Sequence, residues 1–353
     1  MTTLTPTRSA LLAGVTALAL ALSACGGTDE SAAEKPSGEA SGEASSLLPP
    51  AEGKTQYPLT LKTPWGETTL EERPERIIAA TTNATDVELL LALDVTPVLI
   101  SQAVVNAPWL EEHGSAEIET FSFDSDLPLE TFAAADADLI TAFDGDLTDS
   151  YKRISEIAPI AAPEKAVEGG DYYSGVTWQE ELRILGKALD LSDRAEKVIA
   201  QHDDRLKLVR EEHPEFAGKT ATFLVWFGEA AYGLSYFSTP GSPAENFFSS
   251  LGFTTNPLAK NFADADQVSF EQMALVDADV LILNDSSHGE LEKVTGNELF
   301  AKLSAVQDKR LVTIIDGDDG NRSPIGWAIA TQGPLGTQFL LEDFVPELAK
   351  TLN

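Results

Sequence analysis

Cysteine is almost missing from this sequence: Cys25 is the sole thiol in 353 residues. One thiol excludes an internal disulfide and a cysteine-built metal site. Positive charge is scarce too. Lys and Arg number 24 against 57 Asp and Glu, a net charge of −33. That balance excludes a phosphate-binding nucleic-acid face, which needs a basic surface; the excess acid reads as a solvated, solubilising exterior. The four histidines are His113, His202, His213 and His288. A zinc or manganese receptor needs several histidines and carboxylates in one cleft, and two of these four fall on one charged helix far from any cleft, so no metal ligands are assigned. G-x-S-x-G, P-loop and G-x-G-x-x-G motifs are lacking, so nothing points to an enzyme or a bound cofactor. No apolar run reaches the roughly 20 residues of a membrane span.

What is present begins at the N-terminus. Arg8 precedes the apolar stretch Ala10–Leu22, and Leu22-Ser23-Ala24-Cys25 follows. The arrangement resembles a bacterial lipobox, in which the thiol takes a diacylglyceryl group and the chain is cut before it. Residues 1–24 are therefore expected to be a lipoprotein signal peptide, with Cys25 the lipidation site and the extracytoplasmic face of the cell membrane the location. Residues 25–54 are rich in Gly, Ser, Ala and Glu, have little to bury, and should form a disordered linker. A coil of about 30 residues spans roughly 30 Å, and firm anchoring needs more than one acyl chain.

From Pro74 onward, apolar runs alternate with helical patterns. Strands are expected at Arg76–Thr81, 97–101, Ala137–Phe143 and 159–163. Thr85 and Glu88 fit a capping box at the start of a helix. Residues 177–190 have helical spacing, and Ser192 is expected to cap a second, charged helix of about 21 residues, roughly 30 Å long. The strand pattern restarts at Lys219–Phe227 and continues through 278–283 and Lys309–Asp316. A closing helix is broken at Pro346. The expected fold class is α/β: two similar lobes, each a mainly parallel sheet flanked by helices, joined by one long rigid helix. The boundaries are 55–176 for the N-terminal lobe, 177–216 for the linking helices and 217–353 for the C-terminal lobe.

A phrase occurs twice. LETFAAADADLI (Leu129–Ile140) returns as FEQMALVDADVL (Phe270–Leu281). In each, a Glu should open a short helix, the Ala side (Ala133, Ala274) should pack inward, and Asp-Ala-Asp should turn into a parallel strand. A carboxylate in a first helical turn is worth a few tenths to about 1 kcal/mol, which explains Glu130 and Glu271 as caps without explaining their recurrence.

The stretches PERIIAATTNATDVELLLALDVTPVLIS, LPLETFAAADADLITAFDGDLTDSYKRISEIAPIAAP, TWQEELRILGKALDLSDRAEKVIAQ, QVSFEQMALVDADVLIL and NELFAKLSAVQDKRLVTII cover most of residues 70–315. In order and spacing they resemble the ABC-transporter solute-binding proteins of the ferric-siderophore, haem and cobalamin type. The resemblance implies a ligand held between two lobes, a rigid helix across the back, and delivery to a permease dimer driven by its ATPase. It also implies permease docking through one exposed Glu per lobe, at the matching positions Glu130 and Glu271. The expected ligand is a ferric siderophore, captured by a monomer. Loops beyond the carboxyl ends of the strands supply the candidate contacts: Trp109, Trp226, Tyr232, Tyr236, Arg322 and Trp327. Aromatic walls suit a bulky organic ligand, and a guanidinium pairs bidentately with oxygen donors. Tyr232, Tyr236, His113 and His288 keep haem open as an alternative, cobalamin stays open, and a lipid-anchored adhesin or sensor is the alternative of another class.

Overall fold

The computed structural model describes residues 2–3, 47–122, 127–145, 147–165, 176–316 and 322–353. Cys25, nearly all of the expected signal peptide, and the linker as far as residue 46 lie outside the described residues. After β1 (Thr2–Thr3), the first lobe opens with a hairpin of β2 (Leu59–Thr63) and β3 (Gly66–Leu70). It continues through β4 (Ile77–Ala79), α1 (Thr85–Ala92), β5 (Ile100–Ser101), α2 (Pro108–Glu111), β6 (Thr120–Phe121), α3 (Leu129–Ala134), β7 (Leu139–Thr141), α4 (Tyr151–Ser155) and β8 (Ile160–Ala161). Strands β4, β7 and β8 pair in parallel, as do β5 and β6, and an Ile78–Leu99 bridge links the two pieces.

Two helices follow, α5 (Trp178–Ala188) and the 21-residue α6 (Ser192–Glu212). The second lobe holds β9 (Ala221–Trp226), β10 (Leu234–Tyr236), α7 (Pro243–Ser250), β11 (Gln267–Val268), β12 (Val280–Asp285), α8 (Leu291–Thr295), α9 (Ser304–Gln307) and β13 (Leu311–Ile315). Three helices close the chain: α10 (Pro324–Thr331), α11 (Pro334–Asp343) and α12 (Val345–Leu352). The sheet order is β1-β13-β12-β9-β10-β11, parallel from β1 to β9, with β10 and β11 antiparallel at the edge. All residues of β9 and β12 are buried, the mark of parallel strands covered on both faces. The fold is thus two α/β lobes with parallel sheets and a long helix between them.

The repeated phrase has a partly different cause from the one expected. Its alanines do not pack inward: Ala133 and Ala274 are exposed, and Phe132 and Met273 are the buried members. The second aspartate of each Asp-Ala-Asp is what the two lobes share. Asp138 accepts from the amides of Glu75 (2.9 Å) and Arg76 (2.8 Å), just before β4. Asp279 accepts from the amide of Thr220 (2.9 Å), just before β9. In each lobe a carboxylate preceding one strand fastens the start of its neighbour.

Both expected caps fail. The N-cap of α1 is Ala84, without a side-chain bond; the Thr85 hydroxyl donates to Asp144 instead, and Glu88 turns elsewhere. Ser192 does not cap α6. Its first amides, at Asp193 and Arg194, donate to the carboxylate of Glu52, at 2.7 and 2.9 Å. The reciprocal contact is made by Asp190, which accepts from the amides of Gly53, Lys54 and Thr55 at 2.7, 2.8 and 2.8 Å. The end of the expected linker, residues 47–54, is thus part of the folded body: Leu48 is buried in the core and residues 52–54 are stapled to the corner between α5 and α6.

Burial acts to raise the Asp190 carboxyl, but the amides of Thr55, Lys54 and Gly53 outweigh it and hold it below the usual range. A carboxyl depressed in the folded state stabilises above its ordinary range and loses that contribution as pH falls through the folded value. Asp190→Ala leaves three amides without an acceptor, so about 2–3 kcal/mol should be lost. Thermal unfolding should show a Tm lower by several degrees at pH 7 and by much less at pH 3; equal losses at both pH values contradict the charge-based account.

Candidate functional site

The carboxyl ends of the parallel strands form one rim on each lobe. In the first lobe, the Thr81 hydroxyl and the Phe143 amide (2.9 Å) both donate to Asp86, which is fully buried. Asp144 accepts from Thr85. Glu181, on α5, is buried and faces Asp144 and Asp86. Burial, foremost, pushes up the carboxyls of Asp86, Asp144 and Glu181, and their mutual repulsion pushes Asp144 and Glu181 further. Asp144 is raised to about 7. In the second lobe, Asn284 at the end of β12 donates to Ser286 (2.9 Å) and Asp316 (3.2 Å), and the Ser323 amide donates to Asp316 at 2.8 Å. A Cβ on Gly326 would lie 2.2 Å from the Asn284 Oδ1, so α10 reaches this network only because residue 326 has no side chain.

Two aromatic groups flank the rims. Trp109, only 2% exposed, meets Trp327 edge-on at 5.4 Å and Phe339 at 5.6 Å. The exposed Arg322 stands over the Trp327 ring at 5.6 Å. Cation–ring contacts of this kind contribute about 0.5–1 kcal/mol at exposed sites. Separately, Tyr232, 71% exposed, meets Phe227 at 5.9 Å, and Phe227 meets Phe237 at 6.0 Å. The Trp327 Nε1 and the Asn284 Oδ1 are buried and find no hydrogen-bond partner among the described residues.

Of the six expected contacts, the structure therefore brings Trp109, Trp327 and Arg322 into one group and sets Tyr232 in solvent. Trp109, Trp226 and Tyr236 are corrections, since all three are buried in the core. Trp226 and Tyr236 belong to the second-lobe core. Trp226 packs on Phe270, and its indole donates to the Glu290 carbonyl at 3.2 Å. Tyr236 stacks on Phe262 at 4.6 Å, and its hydroxyl pairs with Thr222 at 3.2 Å. Neither offers surface to a ligand. Glu130 and Glu271 are exposed, each in the first turn of its short helix. Ser269 and Gln272, not Glu271, form the capping box of the 3-10 helix Phe270–Leu275. Among the described residues no group of three or more His, Cys, Asp or Glu could hold a metal ion, and no helix is long and apolar enough to cross a membrane.

Sequence reasoning missed the buried acids of the first lobe. Their one signal was Glu88 and Asp86 inside an otherwise apolar helix, TDVELLLA.

Residues 78–316 match the family described as periplasmic binding protein. Among solved structures, the periplasmic solute binding protein from Mycobacterium smegmatis is 25% identical, with a TM-score of 0.65, covering 84% of this chain and 99% of that one. PiaA from Streptococcus pneumoniae in complex with ferrichrome is 24% identical, TM-score 0.65, covering 83% of this chain and 98% of that one. SirA from Staphylococcus aureus complexed with staphyloferrin B is 18% identical, TM-score 0.65, covering 82% and 98%. The last two bear on fold alone. No curated protein matches the chain.

The raised carboxyl of Asp144 carries a pH signature. The folded protein holds this proton more tightly than the unfolded chain does. Its contribution to stability is fully present below the ordinary value of 3.8 and is lost as pH rises through about 7. Tm should therefore fall between pH 5 and pH 8, and Asp144→Asn should shrink that fall. The same fall in the variant contradicts the assignment.

Proposed function

Because the chain belongs to the periplasmic binding protein family, we propose that it captures a ferric siderophore between its two lobes and delivers it to an ABC-transporter permease dimer with its ATPase. Cys25 carries the lipid anchor, and the residues between it and Leu47, where the folded body begins, form the tether that keeps the body at the extracytoplasmic face of the cell membrane. The observation that carries this reading is the Arg322 guanidinium on the Trp327 ring, at the carboxyl end of β13. It is an exposed cation in a chain of net charge −33. Beside it are a buried indole N–H and a buried amide oxygen without partners among the described residues, groups of the kind that a bound polar ligand satisfies. Ferrichrome and staphyloferrin B, held by two proteins of the same fold, fit this chemistry: oxygen-rich chelates for the guanidinium, with a bulk that suits Trp327 and Tyr232.

Glu130 and Glu271 are the docking pair. Each is exposed at the start of a short helix in a different lobe, and the matching Ser269–Gln272 box leaves Glu271 with no capping duty. Surface carboxylates bind weakly one at a time; two at a fixed separation orient a partner.

Tryptophan fluorescence quenching by ferrichrome and by ferric citrate tests the ligand. One of them should titrate at 1:1. Arg322→Ala should then weaken binding by about 1.5–3 kcal/mol, the range for bonds to a charged group, and Arg322→Lys should recover part of it. Tight binding of zinc with no response to any iron chelate overturns the reading. For docking, cells carrying Glu130→Ala with Glu271→Ala should lose iron-chelate uptake while Kd and Tm stay at parental values. Normal uptake returns both residues to the solvated surface.

A further inference from the structure

The carboxylate of Glu88, 1% exposed, leaves α1 and ends at another helix 247 residues away. Its Oε1 accepts from the amides of Leu335 (2.8 Å) and Gly336 (2.7 Å). Its Oε2 accepts from the indole Nε1 of Trp109 at 3.2 Å. These amides belong to the first turn of α11, where no intrahelical acceptor exists. The N-cap of α11 is Gly333, which has no side chain to offer. A Cβ there would lie 2.3 Å from the Glu88 Oε1. The first turn of α11 is thus capped by the first lobe: α11 packs on α1 and α2 on one side and joins α10 and α12 on the other.

From Glu88 the contacts run outward to the ligand rim. The carboxylate holds the Trp109 indole, Trp109 meets the edge of Trp327, and Trp327 carries Arg322. We propose that Glu88 is a positioning residue. It fastens α11 to the first lobe and sets the orientation of the Trp109–Trp327 pair, so that ligand capture depends on a side chain that never meets the ligand. The ligand part of this proposal rests on the function proposed above; the positioning part does not.

The surroundings make the contact sensitive to protons. Asp144 faces Glu88 from the loop after β7. The same helix contributes Asp86, already bonded to Thr81 and Phe143. Helix α5 contributes Glu181, which faces Asp86 and Asp144; α2 presents the Trp109 N–H, and α11 presents its amides. Among the described residues Glu88 makes no ion pair. Burial raises its carboxyl, the donors at Gly336, Leu335 and Trp109 pull it down, and Asp144 raises it again, to about 7. The global contribution is fully present below the ordinary 4.5 and is lost as pH rises through about 7. Locally, a proton on Oε2 competes with the indole N–H for that oxygen, so the environment of Trp109 changes over the same range.

Glu88→Gln is the central variant. Its amide oxygen can still receive α11, but its NH2 then opposes the indole N–H, donor against donor. In the full chain, hydrogen exchange at Leu335 and Gly336 should quicken about tenfold or more. The parent's tryptophan emission should show a step near pH 7 that the variant lacks. Adding Trp109→Phe, which removes the opposing donor, should restore much of the exchange protection. Should Glu88→Gln fail to fold, Trp109→Phe alone carries the test: the emission step near pH 7 should vanish, because its reporter is gone. Ferrichrome, used as the probe, should bind Glu88→Gln about tenfold more weakly than the parent. Exchange rates and an emission profile identical to the parent's overturn the proposal. A parent that ignores ferrichrome counts against the ligand reading, and the exchange and emission results still decide the role of Glu88.

Discussion

Two amides and one indole N–H converge on a carboxylate that has no balancing cation among the described residues. The rest of the molecule is arranged around that contact. A two-lobed protein must keep its lobes in register through few connections, and here the covalent one is α6, a helix with only four buried residues. The hydrophobic cluster that includes α1, α5 and the closing helices α10 to α12 crosses from one lobe to the other. Glu88 supplies the directional bond inside it. Apolar packing holds the seam together without specifying an angle; three donors on one carboxylate do specify one. The cost is a desolvated acid, visible as a raised titration range.

The same logic recurs at the outer corner of the molecule. Glu52 caps α6 and Asp190 caps the incoming chain. Every one of these carboxylates satisfies amides from a distant segment. This explains where sequence reading stopped. Strand positions, the α5–α6 pair, the restart of the pattern after residue 217 and the break near Pro346 were legible, because buried strands and amphipathic helices leave their periodicity in the sequence. The caps were misread because a capping box is a local spacing. Thr85 with Glu88 has that spacing, yet both side chains found better partners far along the chain. Ser192 likewise sits where a cap belongs, and a glutamate 140 residues upstream does the work instead.

The candidate site shows a similar limit. Arg322, Trp327 and Tyr232 were read as odd residues in loops past the strands; Arg322 and Tyr232 do lie outside helices and strands, whereas Trp327 lies on α10. Trp226 and Tyr236 looked alike from sequence and proved to be core. Strand β9 is buried on both faces, so alternation carries no information about which way Trp226 points. The twin phrases were read correctly as equivalent pieces of two lobes, but through the wrong residues: the alanines face solvent, while Asp138 and Asp279 do the shared structural work. That leaves the exposed Glu130 and Glu271 as the part of the repeat that folding does not explain.

The molecule combines a rim on each lobe, a seam that fixes their relation, and an entering segment, residues 52–54, stapled to the corner between α5 and α6. The central claim is that an iron chelate sits between the rims. Anomalous diffraction at the iron edge from crystals of the ferrichrome-saturated protein measures that position directly. The account predicts one iron site between the lobes, with the chelate's oxygens within hydrogen-bonding range of the Arg322 guanidinium and its bulk against Trp327. An iron site on the outer face of one lobe, or beside α6, would contradict it.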